Sequence, residues 1–169
     1  YKGVTRFFEN TLEYKFAIAE KFRHGIKKRL FGVKIFPKWI SGYDDALDIY
    51  DEVVSGLPGS TLAAQSLLSK AALLDKMKEY AESEDAYQDL IVRFPNTSFS
   101  ADAYVALSKL YLKEGIREYQ NPDFLALSKI NLKKFQQDFP NDPRIQDAEK
   151  AFYGVEEAYA KGLYDTGCF

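Results

Sequence analysis

Apolar residues recur along this chain at the spacing of one helical face, and the pattern is broken at regular points by proline. Phe8, Leu12, Phe16, Ala19, Phe22 and Ile26 follow one another at three- and four-residue intervals, which predicts a long helix from Thr5 to Leu30. After a turn at Ser41-Gly42-Tyr43-Asp44, the positions Ala46, Ile49, Tyr50, Val53 and Leu57 predict a helix over Asp45–Leu57 that Pro58 stops. Ser60 then reads as a cap for a helix over Thr61–Met77, carried by Leu67, Ala71, Leu74 and Met77. A turn near Lys78–Ala81 leads to the stretch Ser83–Ser98, where Ala86, Tyr87, Leu90, Ile91 and Phe94 form a stripe that ends at Pro95.

The pattern continues with Tyr104, Leu107, Ser108 and Tyr111 in a helix over Ser100–Lys113, a connection over Gly115–Asn121, and a helix over Phe124–Phe139 with Asn121 as cap and Pro122 in its first turn. Pro140 stops that helix. Pro143 to about Tyr164 reads as the last one, with Ala148, Phe152, Val155 and Tyr159 on one side and Gly167 as terminator. No segment alternates as a convincing strand.

Three of these helices end alike, at Leu57-Pro58-Gly59-Ser60, Phe94-Pro95-Asn96-Thr97 and Phe139-Pro140-Asn141-Asp142. Counting back from each proline gives the same ladder of a small residue and then larger apolar ones: Ala46, Tyr50, Val53; Ser83, Tyr87, Leu90; Ser128, Leu132, Phe135. The prolines stand 37 and 45 residues apart, the longer interval arising from extra residues between Lys113 and Phe124. Both spacings fit a helix-turn-helix unit of about 34 residues with short turn extensions.

Composition narrows what such an array can be. The 169 residues are 46% apolar, enough for a substantial core, and no run approaches the roughly 18 apolar residues of a membrane span. His24 and Cys168 are each the only residue of their type, which excludes an intramolecular disulfide framework and a Cys/His zinc cluster. The adjacent acids Asp44-Asp45, Glu84-Asp85 and Glu156-Glu157 suit helix starts or solvated faces better than paired general acid/base chemistry. With no phosphate-cradling glycine loop and no nucleophile-base arrangement, no enzymatic activity and no cofactor are expected. Charge is unevenly placed: residues 1–40 hold ten Lys/Arg against three Glu, +7, leaving thirteen against twenty-two, −9, for residues 41–169. An acidic body of this kind opposes the continuous basic track that nucleic acid requires.

The repeat unit resembles the tetratricopeptide repeat (TPR) family. Its first-helix pattern of bulky, bulky, small, bulky is met by Tyr104, Leu107, Ser108 and Tyr111, and by Leu67, Ala71 and Leu74 with Lys70 departing at the second bulky position. The second-helix pattern of small, aromatic, aliphatic and proline is met by the three ladders. The match covers residues 44–140 and is weak before them. The Phe-Pro-Asn endings together with Ser98-Phe99-Ser100-Ala101-Asp102-Ala103 are similar to the BamD/ComL-type lipoproteins of the outer-membrane β-barrel assembly machinery.

That resemblance implies an all-α fold, a right-handed α-solenoid of about three and a half TPR repeats, made of a basic helix and aromatic loop over residues 1–43, which are the first helix of repeat 1 with an insertion, and an array over residues 44–169 truncated in its last repeat. It implies a non-catalytic interaction scaffold, lipid-anchored at the periplasmic face of the outer membrane, that binds a barrel-assembly subunit through extended or helical peptide segments. A Tol-associated periplasmic adaptor is the related alternative, and an enzyme whose active site lies outside this chain is the remotest. The chain opens on Tyr1 rather than Met and its last helical pattern runs nearly to Phe169, which leaves room for a leader with a lipid-attachment cysteine and for further repeats. In TPR arrays partners lie in the groove lined by first helices, which here implies Gln65, Ser69, Ala72 and Lys76, then Asp102, Val105, Lys109 and Lys113. The lysines would receive a carboxylate or an acidic segment.

Lys27, Lys28 and Arg29 with Phe31, Phe36 and Trp39 form a basic and aromatic segment that admits three readings. It could meet an anionic membrane surface, anchor a partner through Phe36 and Trp39, or cap the first repeat's core with its cations solvated.

Overall fold

The computed structural model describes residues 2–25, 27–29 and 38–167. These form seven helices and one short ribbon: α1 (Lys2–Arg23), β1 (Lys27–Arg29), β2 (Lys38–Ser41), α2 (Tyr43–Gly56), α3 (Thr61–Met77), α4 (Tyr80–Arg93), α5 (Ser98–Arg117), α6 (Pro122–Asp138) and α7 (Ile145–Gly167). The fold is all-α in its bulk, as expected. The chain divides into two compact units, Tyr1–Ala86 and Tyr87–Phe169, with the boundary inside α4.

Local chemistry explains most helix ends. The Ser60 hydroxyl accepts from the Ala63 amide at 3.0 Å, and the Asn121 side chain accepts from the Asp123 amide at 3.0 Å with Pro122 at the first helical position. Thr97 and Ser100 form a reciprocal capping box, so α5 starts at Ser98. Three expectations are corrected. Gly115 lies inside α5, which runs on to Arg117, so the connection is only Glu118–Asn121. The first helix stops at Arg23, not Leu30, because Gly25 turns the chain at a φ of +93°, a conformation that suits glycine and ends a helix. Past that turn a strand appears where none was expected: β1 pairs antiparallel with β2 in the register Lys27↔Ser41 and Lys28↔Ile40, with an irregularity before Arg29↔Lys38. Phe31 and Phe36 lie outside the described residues.

In the first unit α1 and α2 are antiparallel, with Phe22 against Gly42 at one end and Leu12 against Gly56 at the other. After the Leu57–Ser60 turn, α3 runs back alongside α2 and parallel to α1; Lys76 near its end bonds the Arg23 carbonyl at the end of α1. Ala19, Ala46, Tyr50 and Leu73 form the buried centre, with Phe16, Phe22, Leu47 and Met77 packed against it. Helix α1 thus packs with α2 and α3 in one unit.

The second unit repeats the scheme. Asn131 in mid-α6 donates to the Ser108 hydroxyl in mid-α5 at 2.8 Å, and Tyr104 near the start of α5 reaches Asp138 at the end of α6, so these two helices are antiparallel. Helix α7 then runs parallel to α5, from Arg144 beside Asp102 to Gly162 beside Tyr119. Tyr104 stacks on Phe135 at 5.1 Å between centroids, and Phe139 meets both rings edge-on.

The ladder positions are buried as their spacing predicts: Ala46, Tyr50, Val53, Ser83, Tyr87, Leu90, Ser128 and Phe135 fully, Leu132 in part. Their surroundings differ. Ser83 donates to the Ala71 carbonyl at 2.9 Å, whereas the equally buried Ser128 hydroxyl has no partner.

Candidate functional site

The parallel helices α5 and α7 line a cleft of about 560 Å³, within the roughly 300–1,000 Å³ of ligand-binding clefts. Its floor exists because α7 carries small residues at Gly154, Ala158 and Gly162, an i, i+4, i+8 stripe. A Cβ at Gly154 would stand 2.8 Å from Leu112 Cδ1, and one at Gly162 would stand 2.8 Å from the Tyr119 carbonyl oxygen. At Gly162 the neighbour is backbone, so only glycine allows that approach, whereas at Gly154 it is the end of a leucine side chain. One wall is Leu112 and Ile116 of α5 with Tyr119 from the connection after it, of which Ile116 and Tyr119 are exposed, and the α7 rim carries Glu157, Lys161 and Asp165.

The opposite end of the same helix pair is clamped. Arg144 donates from Nε and Nη2 to the two Asp142 carboxylate oxygens at 2.9 and 2.6 Å, and from Nη1 to Asp102 Oδ1 at 2.6 Å and to the Ser98 carbonyl and hydroxyl at 3.2 Å. These bonds from Arg144 hold the Asp142 carboxyl below its ordinary value and outweigh the opposing cost of burial. Planar, five-donor geometry allows one guanidinium to bridge both carboxylates. Thus α7 is fixed at its start and open along its later turns.

The corresponding seam of the first unit, between α1 and α3, is bridged by polar side chains around Glu20 and by Lys76. Glu20 loses solvation on burial, which alone would raise its carboxyl, but hydrogen bonds from Arg23, Tyr50 and Ser69 and the Arg23 charge outweigh that and lower it. The Tyr50 hydroxyl donates to Glu20 at 2.6 Å, and burial followed by this carboxylate raises it well above the ordinary phenol value.

The groove residues implied by the sequence distribute unevenly over these two seams. In the first unit, Gln65 is exposed and Ala72 half-buried; Ser69 belongs to the Glu20–Tyr50 network, and Lys76 bonds the Arg23 carbonyl at 3.0 Å and lies 4.9 Å over the Tyr43 ring. In the second unit, Asp102 is occupied by Arg144 and Val105 is buried in the core. Lys109 and Lys113 are exposed, and with Leu112 and Ile116 they share one face of α5 at i, i+3, i+4, i+7. Of the basic segment, Lys27, Lys28 and Arg29 lie in β1 and Trp39 in β2, while Phe36 falls outside the described residues.

Sequence reasoning missed Arg144, Tyr119, Lys161 and the glycine stripe. Only the stripe left a readable signal, small residues recurring at Gly154, Ala158 and Gly162. Among the described residues no group of three or more His, Cys, Asp or Glu is placed to hold a metal ion, and no helix is long and apolar enough to cross a membrane. Comparison with known proteins found no matching family model, no matching curated protein and no matching solved structure.

Proposed function

We propose that this protein is a non-catalytic interaction scaffold of TPR type, a BamD-like component of outer-membrane β-barrel assembly, which holds an extended or helical segment of a barrel-assembly subunit on the α5 and α7 face. The observation that carries this reading is the cleft itself: two parallel helices, separated in sequence by an antiparallel one, clamped by Arg144 at one end and left open over Leu112, Ile116 and Tyr119 at the other. Each unit shows the parallel, antiparallel, parallel order that stacked helix-turn-helix repeats produce, and the buried small and aromatic ladder supplies the close helix packing such repeats need. Lys109 and Lys113, on the face that continues the cleft wall, would favour an acidic stretch in the bound segment. A periplasmic home and a lipid anchor belong to the same proposal and rest on the sequence resemblance.

The test is a pull-down from detergent-solubilised envelopes with the wild-type chain and with Ala158→Trp, which fills the cleft from its floor. The wild type recovers a barrel-assembly subunit, and the variant recovers at least about tenfold less at unchanged helical content. Recovery of no such subunit by the wild type overturns the barrel-assembly role. Equal recovery by both chains removes the cleft from it.

A further inference from the structure

Helix α1 turns Leu12 and Ala19 into the first unit and presents on the opposite side a face made of Phe7, Asn10, Thr11, Tyr14, Ala17, Ile18 and Lys21, every one exposed. Phe7 is 79% exposed, Tyr14 75% and Ile18 45%. These three stand at i, i+7 and i+11 and form a ridge about 16 Å long. No carboxylate falls on it: Glu9, Glu13 and Glu20 lie on the flank by helical position. The ridge has no structural duty within the unit, because the contacts with α2 and α3 use the other side of the helix.

Charge separates along the same unit. Residues 1–40 carry a net +7, while residues 41–86 carry three Lys against ten Asp/Glu, a net −7. Helix α1 itself carries five Lys/Arg against three Glu, and in sequence Lys27-Lys28-Arg29 follow in β1, directly beyond the Gly25 turn. A separation of this kind orients the unit toward an anionic surface.

We propose that the outward face of α1 is a docking surface for an anionic lipid membrane, independent of the cleft between α5 and α7. Phe7, Tyr14 and Ile18 enter the boundary between headgroups and acyl chains, where aromatic and aliphatic side chains on an amphipathic helix partition. Lys21 and the basic residues that follow in sequence meet the headgroup charge, a contribution that falls with ionic strength. A convex ridge one helix wide needs no complementary pocket on a fluid surface, which favours lipid over an acidic protein groove.

Flotation with vesicles decides it. The wild-type chain floats with phosphatidylglycerol-rich vesicles, does not float with pure phosphatidylcholine vesicles, and is released by added salt. The variant Phe7→Gln, Tyr14→Gln, Ile18→Gln, altered only at exposed positions, keeps its helical circular dichroism and loses at least about tenfold in partitioning. A polarity-sensitive fluorophore at Tyr14→Cys, in a Cys168→Ser background, shifts to the blue on anionic vesicles. Absence of flotation with anionic vesicles, equal flotation of the triple variant, or an unshifted fluorophore each overturns the proposal. Mutation-sensitive binding to polyglutamate without vesicle binding assigns the face to an acidic protein instead and likewise overturns it.

Discussion

The seam between α1 and α3 in the first unit and the seam between α5 and α7 in the second are built to one plan and finished differently. In each, two parallel helices flank an antiparallel one, and a buried tyrosine donates its hydroxyl to a carboxylate at 2.6 Å: Tyr50 to Glu20, Tyr104 to Asp138. Burial, followed by the carboxylate, raises both phenols, so each stays a proton donor across ordinary pH. The first seam then closes on itself, since Glu20 also gathers Arg23 and Ser69 and Lys76 crosses to the end of α1. In the second, Arg144 bridges the helix pair at one end, and Gly154, Ala158 and Gly162 form the floor of the cleft along the later turns of α7. Space between parallel helices is thus decided by which side chains line the seam.

The two units can be set against each other at equivalent positions. The largest effect is expected at the last rung of the ladder: Phe135→Ala costs about 3–5 kcal/mol, because the ring is fully buried between Tyr104 and Phe139. Val53→Ala, at the same rung in the first unit, costs about 2 kcal/mol for its two lost methyl groups. Urea unfolding measures both, and equal losses would show that the rungs do not pack equivalently.

Next comes the closed network. Glu20→Gln costs roughly 1–3 kcal/mol at neutral pH by leaving the Arg23 guanidinium unpaired. The folded carboxyl sits below its ordinary value of 4.5, so in that window the unfolded chain binds more protons and stability rises with pH. The contribution is present above about pH 4.5 and is lost as pH falls through the lowered folded value. Urea midpoints of wild type and Glu20→Gln therefore converge on acidification; a gap that stays constant below that pH would place the stabilisation elsewhere.

The smallest effect distinguishes two serines at one repeat position. Ser83→Ala removes a buried bond to the Ala71 carbonyl and costs about 1 kcal/mol, whereas Ser128→Ala removes a buried hydroxyl with no partner and is neutral or stabilising by up to about 1 kcal/mol. Thermal midpoints that move together for the two variants would mean that the hydroxyl at this rung has no distinct role in either unit.

Legibility in the sequence followed the range of the interaction. Thr61–Met77 was readable to the residue because Ser60 caps it and a turn follows Met77. The end of α1 was misplaced by seven residues because Ile26 to Leu30 continues the apolar period, and only Gly25 with its left-handed turn and the pairing of Lys27 with Ser41 reveals the ribbon. Ser69, Lys76 and Asp102 read as outward polar positions, and no local pattern shows that Tyr50, the Arg23 carbonyl or Arg144 would be brought to them.

What the amino-acid sequence determined by itself is the set of helices, their caps and proline stops, and the buried ladder, because period, capping and backbone restriction act among near neighbours. What only the tertiary structure decided is which polar groups are consumed and where space remains. Arg144 meets Asp102 across forty-two residues and Gly162 meets Tyr119 across forty-three. Such meetings exist only once α5 and α7 lie side by side, and they close one end of that helix pair while leaving the other open.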